Sequence, residues 1–170
     1  MALAQFETGD TAVRARATGQ GRFQTRIAAR GGPILADEPA AVGGADTGPT
    51  PFELLSAGLA ACTSMTMRLY AERKQWELPG FEVAVAHSLV PGEGDSPPRD
   101  LFTRRISFDS PLDSDRHARL LEIADRCPVH RTLMRGFEIR TETDDAGEGS
   151  RLPANDPAEH EAQMEQACAD

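Results

Sequence analysis

The stretch from Pro51 to about Lys74 constrains this chain more than any other. Leu55, Leu59, Cys62, Thr66 and Leu69 fall at i, i+4, i+7, i+11 and i+14, and nearly every other position as far as Met67 is small or apolar. That spacing predicts a long helix with one continuous stripe. A helix apolar on most of its circumference needs cover on several sides, so it belongs at the centre of a core or of a subunit interface. Thr50, Pro51 and Glu53 read as N-cap, N1 and N3, a capping box with proline at its favoured first position.

The flanking segments alternate with period two. Val13, Ala15 and Ala17, then Phe23, Thr25 and Ile27, predict a β-hairpin over residues 11–29 turning at Thr18-Gly19-Gln20-Gly21. Residues 37–48 form a Gly- and Pro-rich loop that runs straight into the apolar helix, a placement that often frames a site. Strands are predicted over 81–89 and 102–108, joined by a flexible loop at 91–98 and paired antiparallel. A second helix is expected over 113–126. Pro128 biases Cys127 away from helical geometry and places it at a helix junction. Residues 137–141 are expected to complete the sheet. The predicted order is ββ-α-ββ-α-α-β, an α+β fold with antiparallel sheets around one long central helix.

Composition narrows the function. A chain of 170 residues with 39% hydrophobic and 26% charged content reads as one domain over residues 1–143. The remaining 144–170, acidic apart from Arg151, reads as a solvated or flexible tail. A formal net charge of -9 disfavours nonspecific binding to nucleic acid or an anionic membrane. Without a basic-then-apolar opening stretch or a long apolar run, the expected location is the cytoplasm. In that compartment disulfides are usually catalytic or sensing, so the three cysteines need individual reading.

Cys62 lies within the buried stripe. Cys127 precedes a proline that can begin a helix, where unpaired backbone N–H groups lower a thiol pKa, and Arg126, His130 and Arg131 add positive charge. Two such cysteines make a candidate pair for attack and resolution: a thiolate attacks a peroxide oxygen, becomes a sulfenic acid, and a second thiol captures it before it oxidises further. The alternative for each is packing as a small hydrophobe. Cys62, Cys127 and His130 supply only three metal ligands, so no metal is expected. Cys168 reads as inert, and His87, His117 and His160 accompany no nucleophile motif.

Gly48-Pro49-Thr50-Pro51-Phe52-Glu53-Leu54-Leu55, then Ala60-Ala61-Cys62-Thr63, and later Cys127-Pro128-Val129-His130-Arg131-Thr132-Leu133 resemble the two signature stretches of the OsmC/Ohr family. The likeness runs from about residue 11 to 141, and residues 67–74 extend it toward the OsmC-like subgroup. It implies an intertwined homodimer with active sites at the subunit interface. It also implies reduction of organic hydroperoxides without metal, flavin or other cofactor, and recycling by a dithiol such as a lipoylated protein. Cys62 would be the peroxidatic cysteine and Cys127 the resolving one.

The family's catalytic arginine comes from the N-terminal hairpin, where Arg22 is the nearest match among Arg14, Arg16, Arg22 and Arg26. Its catalytic glutamate, ten residues before the cysteine, is replaced here by Phe52. Glu53 is one residue later, about half a turn round an ideal helix from Cys62, which favours its capping role. The second stretch reads CPVHRTL and departs from the CPYS-like form of the Ohr subgroup. The competing expectations are a noncatalytic stress or ligand-binding protein and a thiol redox sensor on the same fold.

Overall fold

The computed structural model describes residues 12–143 and 157–169. These form two compact units. One contains residues up to Pro51 together with the segment from Glu138, and the other runs from Phe52 to Phe137 and resumes at Ala158.

In the first unit, strands β1 (Arg14–Ala17), β2 (Thr25–Ala29) and β3 (Gly32–Ala36) make an antiparallel sheet in the order β1-β2-β3. The predicted hairpin is β1-β2. The third strand was not anticipated; positive φ at Gly31 and Gly32 lets the chain turn tightly and fold β3 back onto β2. The loop that follows is ordered by one buried carboxylate. Asp37 accepts the N–H groups of Glu38 (2.9 Å), Ala45 (3.1 Å) and Thr47 (3.4 Å) and the Thr47 hydroxyl (2.8 Å). The Thr47 hydroxyl is the main reason that its pKa lies below the usual carboxylate value. Gly44 has no room for a side chain: a Cβ there would stand 1.7 Å from the Glu38 carbonyl oxygen.

The second unit is built on α1 (Pro51–Arg73), which begins at Pro51 as the sequence indicates. Strands β4 (Phe81–Val90) and β5 (Arg99–Phe108) pair antiparallel along their full lengths, Phe81 opposite Phe108 and Val90 opposite Arg99. Their alternate residues Phe81, Val85, Phe102, Ile106 and Phe108 are partly buried against the core, which is the period-two rule of a one-sided sheet. Helices α2 (Ser114–Asp125) and α3 (Pro128–Arg135) follow, α2 being capped by the Asp113 side chain, which accepts the Arg116 N–H at 2.9 Å.

Two hydrophobic groups line α1. Met67 and Tyr70 pack with Leu120, Ile123 and Ala124 of α2, while Leu59 and Cys62 pack with Cys127 nearer the start of the helix. The burial is one-sided: Ser56, Leu59, Cys62, Thr63, Thr66, Met67, Tyr70 and Ala71 are covered, whereas Phe52, Leu55 and Met65 are exposed. Leu55 therefore leaves the predicted buried stripe.

Two expectations fail. Residues 137–141 form no strand, because a ladder needs a partner edge and none of the described residues pairs with them. The segment expected as a solvated tail is not uniformly so: α4 (Pro157–Ala167) is helical, and Ala167 and Cys168 are buried. Cys168 joins Met67, Tyr70, Leu120, Ile123 and Ala124 in the larger core, and its thiol donates to the Thr66 carbonyl at 3.6 Å. The shielded positions of α4, His160 and Met164 followed by Ala167 and Cys168, share one helical face, and the acidic residues between them masked it. Residues 144–156 lie outside the described residues.

Candidate active site

Cys62 and Cys127 come together. Both are buried, at 3% and 0% exposure, and both are free thiols. They share one cluster with Leu59, walled by Val85, Phe102, Val129 and Leu133, and each thiol is the largest influence on the other's pKa. The wall is hydrocarbon, and three polar groups around Cys127 bear on where charge can reside.

The first is the start of α3. Cys127 is its N-cap residue with Pro128 at the first position, and its sulfur accepts the His130 backbone N–H at 3.4 Å. A cysteine at this place receives both a hydrogen bond and the positive end of the helix. The second is the Thr63 hydroxyl, 3.8 Å from the Cys127 sulfur and donating to the Leu59 carbonyl at 2.7 Å. The third is Arg104, whose side chain is only 13% exposed. Its Nη1 donates to the Thr63 hydroxyl at 3.0 Å and to the Ala124 carbonyl at 2.9 Å, and its Nη2 pairs with Asp125 at 2.5 Å.

Together these split the two thiols. The hydrogen bond from Cys62, then the His130 N–H, the Thr63 hydroxyl and the Arg104 charge, lower the Cys127 thiol to about 6 against the opposing effect of burial. Cys62 moves the other way, raised by its bond to Cys127 and by burial. Of the two, Cys127 is the thiol that gives up its proton more readily. On its other side, the Cys62 sulfur lies 3.7 Å from Nε2 of His160 on α4.

Neither Arg104 nor His160 was singled out from the sequence. Arg104 had a visible signal, since it stands between Phe102 and Ile106 on the inward face of β5, where a charge is costly unless partnered. Arg126, expected to lend charge to Cys127, instead donates to the Ala169 carbonyl at 3.2 Å. Arg22 belongs to the first unit, with its guanidinium 4.9 Å from the centre of the Phe23 ring. Glu53 is exposed in the first turn of α1, and helical pitch sets it half a turn from buried Cys62. Phe52, at the place of the family's glutamate, stacks on His87 at 4.0 Å. Among the described residues no group of three His, Cys, Asp or Glu is placed to hold a metal ion, and no helix is long and apolar enough to cross a membrane.

A family model described as OsmC-like protein matches residues 43–142. The chain belongs to the OsmC-like protein family. This OsmC-like chain shares its α+β architecture with several solved structures. An OsmC-like protein from Mycoplasma pneumoniae is 21% identical with a TM-score of 0.60, covering 75% of this chain and 89% of its own. An organic hydroperoxide resistance protein OsmC from Legionella pneumophila is 20% identical with a TM-score of 0.56, covering 74% and 90%. The organic hydroperoxide resistance protein OhrB of Bacillus subtilis is 26% identical with a TM-score of 0.54, also covering 74% and 90%. No curated relative matches the sequence.

Proposed function

We propose that this OsmC-like protein is a cysteine-based peroxidase that reduces organic hydroperoxides to alcohols, with Cys62 attacking and Cys127 resolving. The observation that carries this reading is the packing of two cysteines from α1 and the α2–α3 junction in one cluster, with the Cys127 sulfur at the start of α3 accepting the His130 N–H. Cys62 sulfur takes the terminal oxygen of the hydroperoxide, the O–O bond breaks and the alcohol leaves. Cys127 thiolate then attacks the sulfenic sulfur and the S–O bond breaks, giving a disulfide and hydroxide, which takes a proton from solvent to become water. A dithiol reductant, such as the lipoyl group of a protein, returns both thiols by exchange. The apolar wall of Leu59, Val85, Phe102, Val129 and Leu133 suits a substrate with a hydrocarbon tail.

The reading extends to a homodimer acting in the cytoplasm. Exposed Phe52, Leu55 and Met65 on α1, and exposed Phe137 and Ile139 in a segment lacking a ladder, are apolar surface of the kind a second copy covers. Arg22 and Glu53, carried over by family resemblance, are secondary to this scheme.

One equivalent of cumene hydroperoxide, followed by mass-spectrometric mapping, tests it. The expected product is a Cys62–Cys127 disulfide with loss of two thiols, and sustained peroxide consumption once a dithiol is added. Thiols that persist for minutes would leave a noncatalytic stress or binding protein as the better description. A disulfide that forms but does not turn over would favour a redox sensor. Cys62→Ser should abolish consumption, and Cys127→Ser should permit one oxidation that ends in overoxidised Cys62; normal turnover by Cys62→Ser would reverse the assignment.

A further inference from the structure

Cys62, the sulfur that must attack, lies on α1, whereas the start of α3 and its His130 amide favour the thiolate at Cys127. A thiol is a far weaker nucleophile than a thiolate. A base beside Cys62 is therefore needed to take its proton and later return one to the departing alkoxide. The His160 imidazole, with Nε2 3.7 Å from the Cys62 sulfur, stands where such a group is required.

His160 reaches this place through α4, which is fixed along the second unit by several independent contacts. Arg73 donates to the Glu165 carbonyl at 3.1 Å and pairs with its carboxylate at 2.9 Å. Arg126 holds the Ala169 carbonyl, and the Cys168 side chain is buried in the core with its thiol on the Thr66 carbonyl. Thr66 in turn donates to the Cys62 carbonyl at 2.8 Å, so the anchor of α4 and the reactive cysteine adjoin on consecutive turns of α1. His160 is partly shielded and on the same face of α4 as the anchored Cys168.

We infer that His160 is a catalytic residue of this site, the acid–base partner of Cys62, delivered by the C-terminal helix. The inference rests on the peroxidase reading for its substrate, but the proton exchange between His160 and Cys62 stands apart from it. Nε2 accepts the Cys62 proton as the sulfur attacks the terminal oxygen of the hydroperoxide. The O–O bond breaks, its electron pair goes to the alkoxide, and the imidazolium gives that oxygen the proton. The products are the sulfenic acid on Cys62, an alcohol and neutral His160, so atoms and charge balance.

The test uses the full chain and follows each cysteine separately by peptide mass spectrometry at neutral pH. His160→Gln should slow iodoacetamide alkylation of Cys62 on the order of tenfold, and slow its oxidation by cumene hydroperoxide by at least as much. His160→Gly should show the same losses and recover when free imidazole is added, which a merely structural role would not allow. Alkylation and oxidation of Cys62 at wild-type rates or faster in His160→Gln, or no recovery of His160→Gly with imidazole, would overturn the assignment. Wild-type Cys62 that resists hydroperoxide but is still alkylated more slowly in His160→Gln would sink the peroxidase reading and leave the His160 pairing standing.

Discussion

The guanidinium of Arg104 on β5 donates to the hydroxyl of Thr63 on α1 at 3.0 Å, and with the same nitrogen to the Ala124 carbonyl at the end of α2. It therefore joins a strand and two helices around the thiols. Arg104→Met should lower stability by about 1–3 kcal/mol, because a buried carbonyl and hydroxyl lose a charged donor. It should also raise the Cys127 thiol pKa, since the Arg104 charge helps to lower it. Urea denaturation and the pH profile of Cys127 alkylation check the two effects; an unchanged profile would show that the guanidinium does not act on the sulfur.

Alkylation of Cys127 by iodoacetamide is expected to titrate with a midpoint near 6. The hydrogen bond from Cys62 is the largest cause, so Cys62→Ala should move that midpoint upward. The same pair makes stability depend on pH. A thiolate favoured in the folded state stabilises it fully above the ordinary thiol value of 9.0, and the effect is lost as pH falls through about 6. The stability difference between wild type and Cys127→Ala should grow from pH 6 to 9, as read from urea midpoints. Above 9.0 the raised Cys62 acts in the opposite sense.

Cys168 should matter for folding and not for chemistry. Its side chain is buried among Met67, Tyr70 and Leu120, so Cys168→Ala should cost about 1–2 kcal/mol through the cavity it leaves. The Cys62–Cys127 disulfide should still form, because Arg73 and Arg126 continue to hold α4. Trapping Cys168 in a disulfide with either partner after mild peroxide treatment would contradict this.

In the first unit, Gly44→Ala would drive a methyl group into the Glu38 carbonyl oxygen. The loop ordered by Asp37 should open, at a cost of about 2 kcal/mol or more. Faster amide exchange at Ala45 and Thr47, whose N–H groups bond to Asp37, is the direct measurement.

Much of the second unit was legible because local signals agreed with the tertiary result. The 3.6-residue stripe and Pro51 marked α1, alternation marked β4 and β5, and Pro128 put Cys127 at a helix start. What stayed hidden depended on contacts remote in sequence. Residues 137–141 alternate like a strand but pair with no strand among the described residues, and α4 gains its place from Thr66 and the α2 core, which its own acidic composition does not announce. The two cysteines stood out as a candidate pair. That Arg104 and His160 flank them could be learned only from the packing, because an arginine on β5 and a histidine beyond residue 156 carry no shared local pattern.

The His130 amide that bonds to the Cys127 sulfur has a further consequence. When Cys127 enters a disulfide its negative charge disappears, and the opening turn of α3 loses the anion that caps it. Oxidation should therefore loosen that turn, measurable as faster hydrogen exchange at His130. The helix then serves as a built-in gauge of the sulfur's oxidation state, tight in the reduced protein and slack in the oxidised one, where a reductant must find its way in.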